Sequence, residues 1–334
     1  MGLGRRIEIK TEPQAIIMTK KKYMKFLSIL LFIGLISCLT HAPVKMPTTE
    51  VELGKQLFFD PLLSKDRSIS CASCHKPEFA FADNVALSLG VEGKLGTRNT
   101  PSSMNMLSRP YFFYDGRAGS IEEQVLMPIH NPVEMNLAIP ELLTRLNKSH
   151  YQAAFQAIYA KNPDSSTLSA ALAAFVFSLE SPGDAPFDQW INGNTTAMTA
   201  QQIKGREIFN EKAKCFDCHF GPDFTGDEFR NIGLYNASDT LGDIGRFEQT
   251  QDSSDLGRLK VPGLRNIAQT APYMHNGMFA TLEEVVDYYD NPTQFVQGAI
   301  NPDTLVQEPL NLSQEEKDCL VQFLHALTDS TYLE

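Results

Sequence analysis

Cys71-Ala72-Ser73-Cys74-His75 and Cys215-Phe216-Asp217-Cys218-His219 are two copies of one pattern, Cys-x-x-Cys-His. That spacing is a covalent haem attachment site. Two thiols add across the vinyl groups of one haem, and the histidine that follows becomes an axial ligand to its iron. Together the copies take four of the six cysteines and two of the seven histidines. A zinc site built from the four thiols has the right ligand count, and a redox pair or a disulfide would also use paired cysteines. None of these explains why a histidine follows each pair at the same offset. The pattern therefore reads as two c-type haems held by Cys71, Cys74 and His75, and by Cys215, Cys218 and His219.

The flanking sequence repeats as well. Gly54-Lys55-Gln56-Leu57-Phe58 precedes the first motif, and Gly205-Arg206-Glu207-Ile208-Phe209 precedes the second. Thr49 with Glu52, and Thr199 with Gln202, supply capping-box starts, so each stretch predicts a short helix that delivers the chain to a haem motif. Ser313 and Glu316 box the start of a C-terminal helix whose apolar stripe is Leu320, Phe323, Leu324 and Leu327. Between the units the pattern predicts one helix over about Glu141 to Ala160 and a buried one from Leu168 to Leu179. Ser181-Pro182-Gly183-Asp184-Ala185-Pro186 breaks this regularity, and polar residues 192–196 suit a connection. Strand signals are sparse. The expected fold is mainly α: two cytochrome c-type domains, residues 46–192 and 197–330, each with one covalently bound haem.

The N-terminus predicts export. Lys20, Lys21, Lys22 and Lys25 precede an apolar run from Phe26 to Ile36, followed by Ser37 and Cys38. This is the build of a signal peptide, and the run is shorter than the roughly 20 apolar residues that span a bilayer. Leu35-Ile36-Ser37-Cys38 also has the form of a lipobox, in which Cys38 would be lipidated and become the mature N-terminus; ordinary cleavage nearby is the alternative. Residues 1–38 are thus expected to be a signal peptide, with 1–17 an upstream extension before Met18 or Met24, and the protein is expected in the periplasm on a lipid anchor. Removing residues 1–38 takes away seven of the 29 Lys+Arg and two of the 40 Asp+Glu, leaving a net charge near −16. That sign disfavours nucleic acid and suits a cationic partner such as a small basic cytochrome. Roughly 295 residues remain, enough for two domains.

Further motifs carry a resemblance. Leu53 to Pro61 reads Leu-Gly-Lys-Gln-Leu-Phe-Phe-Asp-Pro, and Arg98-Asn99-Thr100-Pro101 and Asp115-Gly116-Arg117-Ala118 follow. Beyond these come Pro132-Val133-Glu134-Met135-Asn136, Ala185-Pro186-Phe187-Asp188, Val261-Pro262-Gly263-Leu264-Arg265-Asn266 and Pro272-Tyr273-Met274-His275-Asn276-Gly277. With these the chain resembles, from about Val51 to Thr328, the bacterial di-haem cytochrome c peroxidases together with the di-haem enzyme that matures methylamine dehydrogenase. The resemblance implies a peroxidatic haem in the N-terminal domain and an electron-transfer haem in the C-terminal one. It places Glu134 as the distal acid/base that moves a proton during O–O cleavage, with Gln124 hydrogen-bonding in the same pocket. Tyr114, where the family often has tryptophan, would relay electrons between the haems. It implies a calcium ion held by Asn99, Thr270 and Pro272, oxygen donors that suit a hard cation, and it puts His275 near the haem propionates. His130 reads as a loop or pocket-wall residue, and Cys319 as a buried thiol.

Two departures from the family pattern bear on function. Many members carry, before the Arg-Asn-Thr-Pro motif, a histidine that caps the first iron until the other haem is reduced. Val91 stands there, and no histidine occurs between His75 and His130, so the first haem is expected to be open without reductive activation. At the far ligand of the second haem, where peroxidases place methionine, the helix begun by Thr281 and Glu284 offers Tyr289. It shares a face with Val285, whereas Tyr288 is turned about 100° away. Met274 and Met278 are the rival ligands. The leading reading is a peroxidase that reduces hydrogen peroxide to water with electrons from a small redox protein. The alternative is a protein-modifying di-haem oxidase, toward which Val91 and Tyr289 both point. A plain di-haem electron carrier is disfavoured by an open iron beside a placed carboxylate.

Overall fold

The computed structural model describes residues 46–236 and 242–332. The signal-peptide and lipobox expectations, with Cys38, lie outside the described residues. Helices carry the fold: α1 Glu50–Phe59, α2 Ile121–Gln124, α3 Met127–His130, α4 Ile139–Asn147, α5 Tyr151–Tyr159, α6 Ser165–Phe177, α7 Pro186–Ile191, α8 Ala200–Asn210, α9 Phe247–Thr250, α10 Leu282–Asp290, α11 Pro292–Phe295 and α12 Gln314–His325. Among the described residues the only sheet is a two-stranded antiparallel pair, β1 Phe229–Arg230 and β2 Leu259–Lys260, with Phe229 opposite Lys260. No described helix is long and apolar enough to cross a membrane.

Helix starts follow local chemistry. The Thr199, Thr281 and Ser313 side chains each accept from the backbone N–H three residues on, and Gln202, Glu284 and Glu316 reach back in return, so two otherwise orphaned donors are satisfied at each start. At α1, Thr49 accepts from the Glu52 N–H while the Glu52 carboxylate takes the backbone N–H and hydroxyl of Thr48. The single helix expected over Glu141 to Ala160 is instead two. Ser149 separates α4 from α5, its hydroxyl donating to Leu146 O and accepting from Tyr151 N. A serine that bonds its own backbone on both sides competes with the helical ladder.

Buried apolar residues sort into two clusters, one drawn from Leu53 to Val176 and the other from Met198 to Leu327. Each has the same centre. In the first, α1 lies so close to α6 that a methyl group on Gly54 would overlap the Ala171 carbonyl oxygen and crowd Phe175 Cβ. In the second, α8 lies on α12 so that a methyl on Gly205 would overlap the Cys319 carbonyl and crowd Phe323 Cβ. An edge-to-face pair flanks each crossing: Phe58 with Phe175 at 5.1 Å, and Phe209 with Phe323 at 5.2 Å. α7, which precedes the polar connection at 192–196, packs on the second cluster through Phe187 and Trp190, with Phe187 edge-on to Phe224 and Phe323.

The repeat continues past the haem motifs. Phe112 bridges Ala118 around a turn with left-handed Phe113 and Gly116, and Ser120 then caps α2. Tyr273 bridges Phe279 around left-handed Met274 and Gly277, and Thr281 caps α10. Polar ties join the halves. Arg98 pairs with Asp243 at 2.7 and 2.8 Å and with Asp115 at 2.6 Å. Arg109 takes Asp223 and Asp227, and Lys260 N–H donates to the Tyr114 carbonyl at 2.7 Å.

Candidate functional site: a cavity between two Cys-x-x-Cys-His motifs

A cavity of about 530 Å³ is lined by both motifs. The thiols of Cys71, Cys74, Cys215 and Cys218 carry no disulfide, and burial pushes Cys71 and Cys215 up to about 12. Each motif folds as a single 3₁₀ turn, Cys71–Ser73 and Cys215–Asp217, which turns cysteines and histidine toward one space. His75 Nδ1 lies 3.0 Å from the Phe81 carbonyl and 2.8 Å from Ser103 Oγ. His219 Nδ1 lies 2.9 Å from the Phe224 carbonyl. A proton held at Nδ1 by an acceptor leaves Nε2 as the ligating nitrogen. Burial holds both imidazoles below the usual histidine range, hence neutral.

Glu134, Gln124 and Tyr114 all line this cavity. The turn after α3 presents Glu134: its backbone N–H donates to Asn131 O, and Asn131 Nδ2 donates to Glu134 Oε1 at 2.6 Å. Burial raises the Glu134 carboxyl above its ordinary value, opposed by the charge of Arg117, the Asn131 bond and His130. Tyr114 is half-buried with its phenol pushed upward by burial. The loop carrying Val91 is clamped to the same turn. Val91 N–H donates to Glu134 O at 2.8 Å, and any side chain on Gly90 would strike the Val133 and Glu134 carbonyls. Val91 is fully buried and lies off the cavity wall, whereas Gly90 forms part of it. His130 is exposed at the end of α3, its Nδ1 beside Leu126 O, and does not line the cavity.

On the other side, Leu282, Val285, Val286 and Tyr289 of α10 face the cavity. Tyr288 turns into the core, fully buried, and its hydroxyl donates to Ile232 O. Burial raises the Tyr289 phenol, with Tyr288 and the Cys215 and Cys218 thiols adding to the effect. Of the two methionines, Met274 lines the cavity while Met278 is 39% exposed and does not.

Asn99, Thr270 and Pro272 reach the same wall. Asn99 Nδ2 donates to Val85 and Ala86 carbonyls. Asn99 Oδ1 and the Thr270 and Pro272 carbonyls accept no hydrogen bond among the described residues. Cys319 is buried in α12. Arg117 and Ser103 are two of the cavity residues to which the sequence assigned no role. Arg117 sat inside a quoted motif with nothing to mark its direction, and Ser103 follows the Arg98–Pro101 motif without any pattern of its own.

A family model described as di-haem cytochrome c peroxidase matches residues 48–196. The chain is 37% identical over 283 residues to the methylamine utilization protein MauG of Methylorubrum extorquens, across 83% of this chain and 78% of that protein. The chain belongs to the di-haem cytochrome c peroxidase family. Over 293 residues it is also 37% identical to the cytochrome c peroxidase Ccp of Escherichia coli, covering 85% of this chain but only 60% of that longer protein. Ccp is named for an oxidoreductase activity, as is the cytochrome c551 peroxidase of Nitrosomonas europaea, 35% identical over 253 residues, 73% of this chain and 75% of that one. Among solved structures, a MauG-like protein associated with microbial copper homeostasis superposes with a TM-score of 0.77 at 30% identity, across 88% of this chain and 93% of that one. The di-haem peroxidase BthA of Burkholderia thailandensis gives 0.76 at 25% identity, with 89% of each chain covered.

Family membership implies two c-type haems. The cavity fits them: each half brings paired thiols and one imidazole whose far nitrogen is already bonded. His275 also lines the cavity, 7% exposed, with an Nδ1 that has no partner among the described residues. A buried polar atom left open toward a cavity calls for a polar ligand group there.

Proposed function

We propose that this family member reduces hydrogen peroxide to water with electrons from a small redox protein such as a cytochrome c, and that it works without prior reduction. The haem at Cys71, Cys74 and His75 would supply the iron at which the O–O bond breaks. Glu134 is the observation that carries the reading: a half-buried carboxylate, raised by burial, on the wall of the first motif's cavity. It takes the proton from one peroxide oxygen and returns it to the other, which leaves as water. Two electrons and two further protons complete two waters per peroxide. Gln124 orients the peroxide, and Tyr114, between the halves, carries electrons from the second haem. Val91 cannot ligate iron, and its loop is held against the Glu134 turn, so the first iron stays accessible. Asn99, Thr270 and Pro272 hold a calcium ion. The N-terminal signal sends the chain to the periplasm, where Cys38 carries a lipid.

A second reading, oxidation of a partner protein in the manner of the methylamine-dehydrogenase-maturing enzyme, is favoured by Tyr289, which faces the second cavity wall where a phenolate ligand would lower the haem potential. Mixing the fully oxidised holoprotein with peroxide and reduced cytochrome c separates the two. Sustained donor oxidation supports the peroxidase. Haem changes without donor oxidation sink it and favour the second reading.

A further inference from the structure

Arg117 differs from the other arginines of the cavity wall in how it is held. Arg98, Arg109 and Arg230 each engage two carboxylates. Arg117 uses one nitrogen only: Nη1 donates to both oxygens of Asp115 at 3.0 and 2.9 Å. Asp115 is itself 1% exposed and fixed by Arg98. The guanidinium carbon lies over the Phe113 ring, 3.5 Å from its centre, and Phe113 adopts the left-handed conformation in the turn. Edge and face are thereby both anchored. Nε and Nη2 hold no hydrogen bond among the described residues, and Arg117 lines the cavity with Gln124 and Glu134. Its charge is felt at Glu134.

We propose that Arg117 is a catalytic residue of the peroxide pocket, its free Nε/Nη2 edge donating to the departing peroxide oxygen while Glu134 moves the proton. This rests on the peroxidase reading and adds a second group to it. As the O–O bond lengthens, negative charge builds on the outer oxygen before the proton arrives. A cation already fixed in place stabilises that charge with no reorganisation, and one such donor contributes about 10²- to 10³-fold in rate. Glu134 alone cannot do this, because it is itself anionic when ready to accept the proton. The guanidinium fork, with two N–H groups on one edge, also suits the two oxygens of a peroxide better than a point charge would.

The test compares an anionic with a neutral ligand of the oxidised first haem, fluoride against imidazole, in wild type, Arg117→Leu and Arg117→Lys. The expected result is at least a tenfold weaker fluoride affinity in Arg117→Leu, with imidazole affinity within about twofold of wild type and kcat/KM for peroxide down about 100-fold. Arg117→Lys keeps the charge without the fork and should lose fluoride affinity severalfold; if Arg117→Leu yields no folded holoprotein, this variant decides. Unchanged fluoride affinity in the variants, or equal loss of both ligands, overturns the proposal. A wild type that binds neither ligand shows a closed iron, which removes the open-haem reading and the Arg117 role with it.

Discussion

The two halves of this molecule share a frame and differ in what they place across it. Each has a glycine-mediated helix crossing, an edge-to-face phenylalanine pair, a 3₁₀ turn bearing Cys-x-x-Cys-His, and a bridged left-handed turn leading to a capped helix. Beyond that frame they part. In the first half the turn leads into α2, four residues long, and the chain soon brings Gln124 and Glu134 to the cavity. In the second it leads into α10, nine residues long, which presents an apolar stripe ending in Tyr289. A carboxylate, Glu134, lies by the first motif and a phenol, Tyr289, by the second. The histidines differ too: His75 Nδ1 meets a carbonyl and the Ser103 hydroxyl, whereas His219 meets a carbonyl alone. The frame is common to both halves; the short stretch after each left-handed turn is where their cavity walls differ.

The sharpest way to break the comparison is to remove the carboxylate that only the first half brings to the cavity. Glu134→Gln should lower kcat/KM for peroxide by about 10²- to 10⁴-fold while leaving both haem spectra and donor binding intact. A smaller loss would mean that another group moves the proton. In wild type the acid limb of the same parameter should lie above the ordinary Glu value of 4.5, because burial raises Glu134. Activity then falls as pH drops through that limb, since the protonated carboxyl can no longer accept a proton. A limb at or below the ordinary value would remove Glu134 as the base.

The shared frame can be tested from both sides. Gly54→Val and Gly205→Val should each destabilise the holoprotein by about 3 kcal/mol, the upper end for overpacking, because the clash is with a carbonyl that cannot rotate away. Thermal unfolding in which only one substitution matters would show that the crossings are not equivalent. Tyr289→Phe should change the spectrum of the second haem and raise its potential while sparing the first; an unchanged spectrum removes the phenolate assignment. The smallest effect is expected from Ser103→Ala. Losing an acceptor at His75 Nδ1 lowers the basicity of the imidazole, so the first haem potential should rise slightly in a redox titration and the second stay fixed.

Features read from neighbouring residues were legible before the fold was. The capping boxes at Thr199 and Ser313 formed as expected and Thr281 starts α10 with a box of its own, whereas at Thr49 the Glu52 carboxylate turns to Thr48 instead of closing the expected box. The choice of Tyr289 over Tyr288 as the cavity-facing ring came from the family's far-ligand position together with helical geometry, and α10 has that geometry. Features that depend on distant partners were not legible. Ser149 divides a stretch that propensity reads as continuous, since its hydroxyl can bond the backbone on both sides. α7 packs on the second cluster because Phe187 finds Phe224 and Phe323 there, contacts that no local pattern announces. Arg117 lay inside a motif, but its orientation comes from Asp115 and from the Phe113 ring beneath it.

One of the ties between the halves is made entirely of backbone: Lys260 N–H to Tyr114 O. Electron hops slow exponentially with distance, so for a relay through Tyr114 this bond acts as a gauge on the gap. Side-chain drift at either position leaves such a gauge untouched, and only proline at 260 would erase it. For such a relay, the spacing at this point would be insulated from side-chain substitutions at 114 and 260 other than proline.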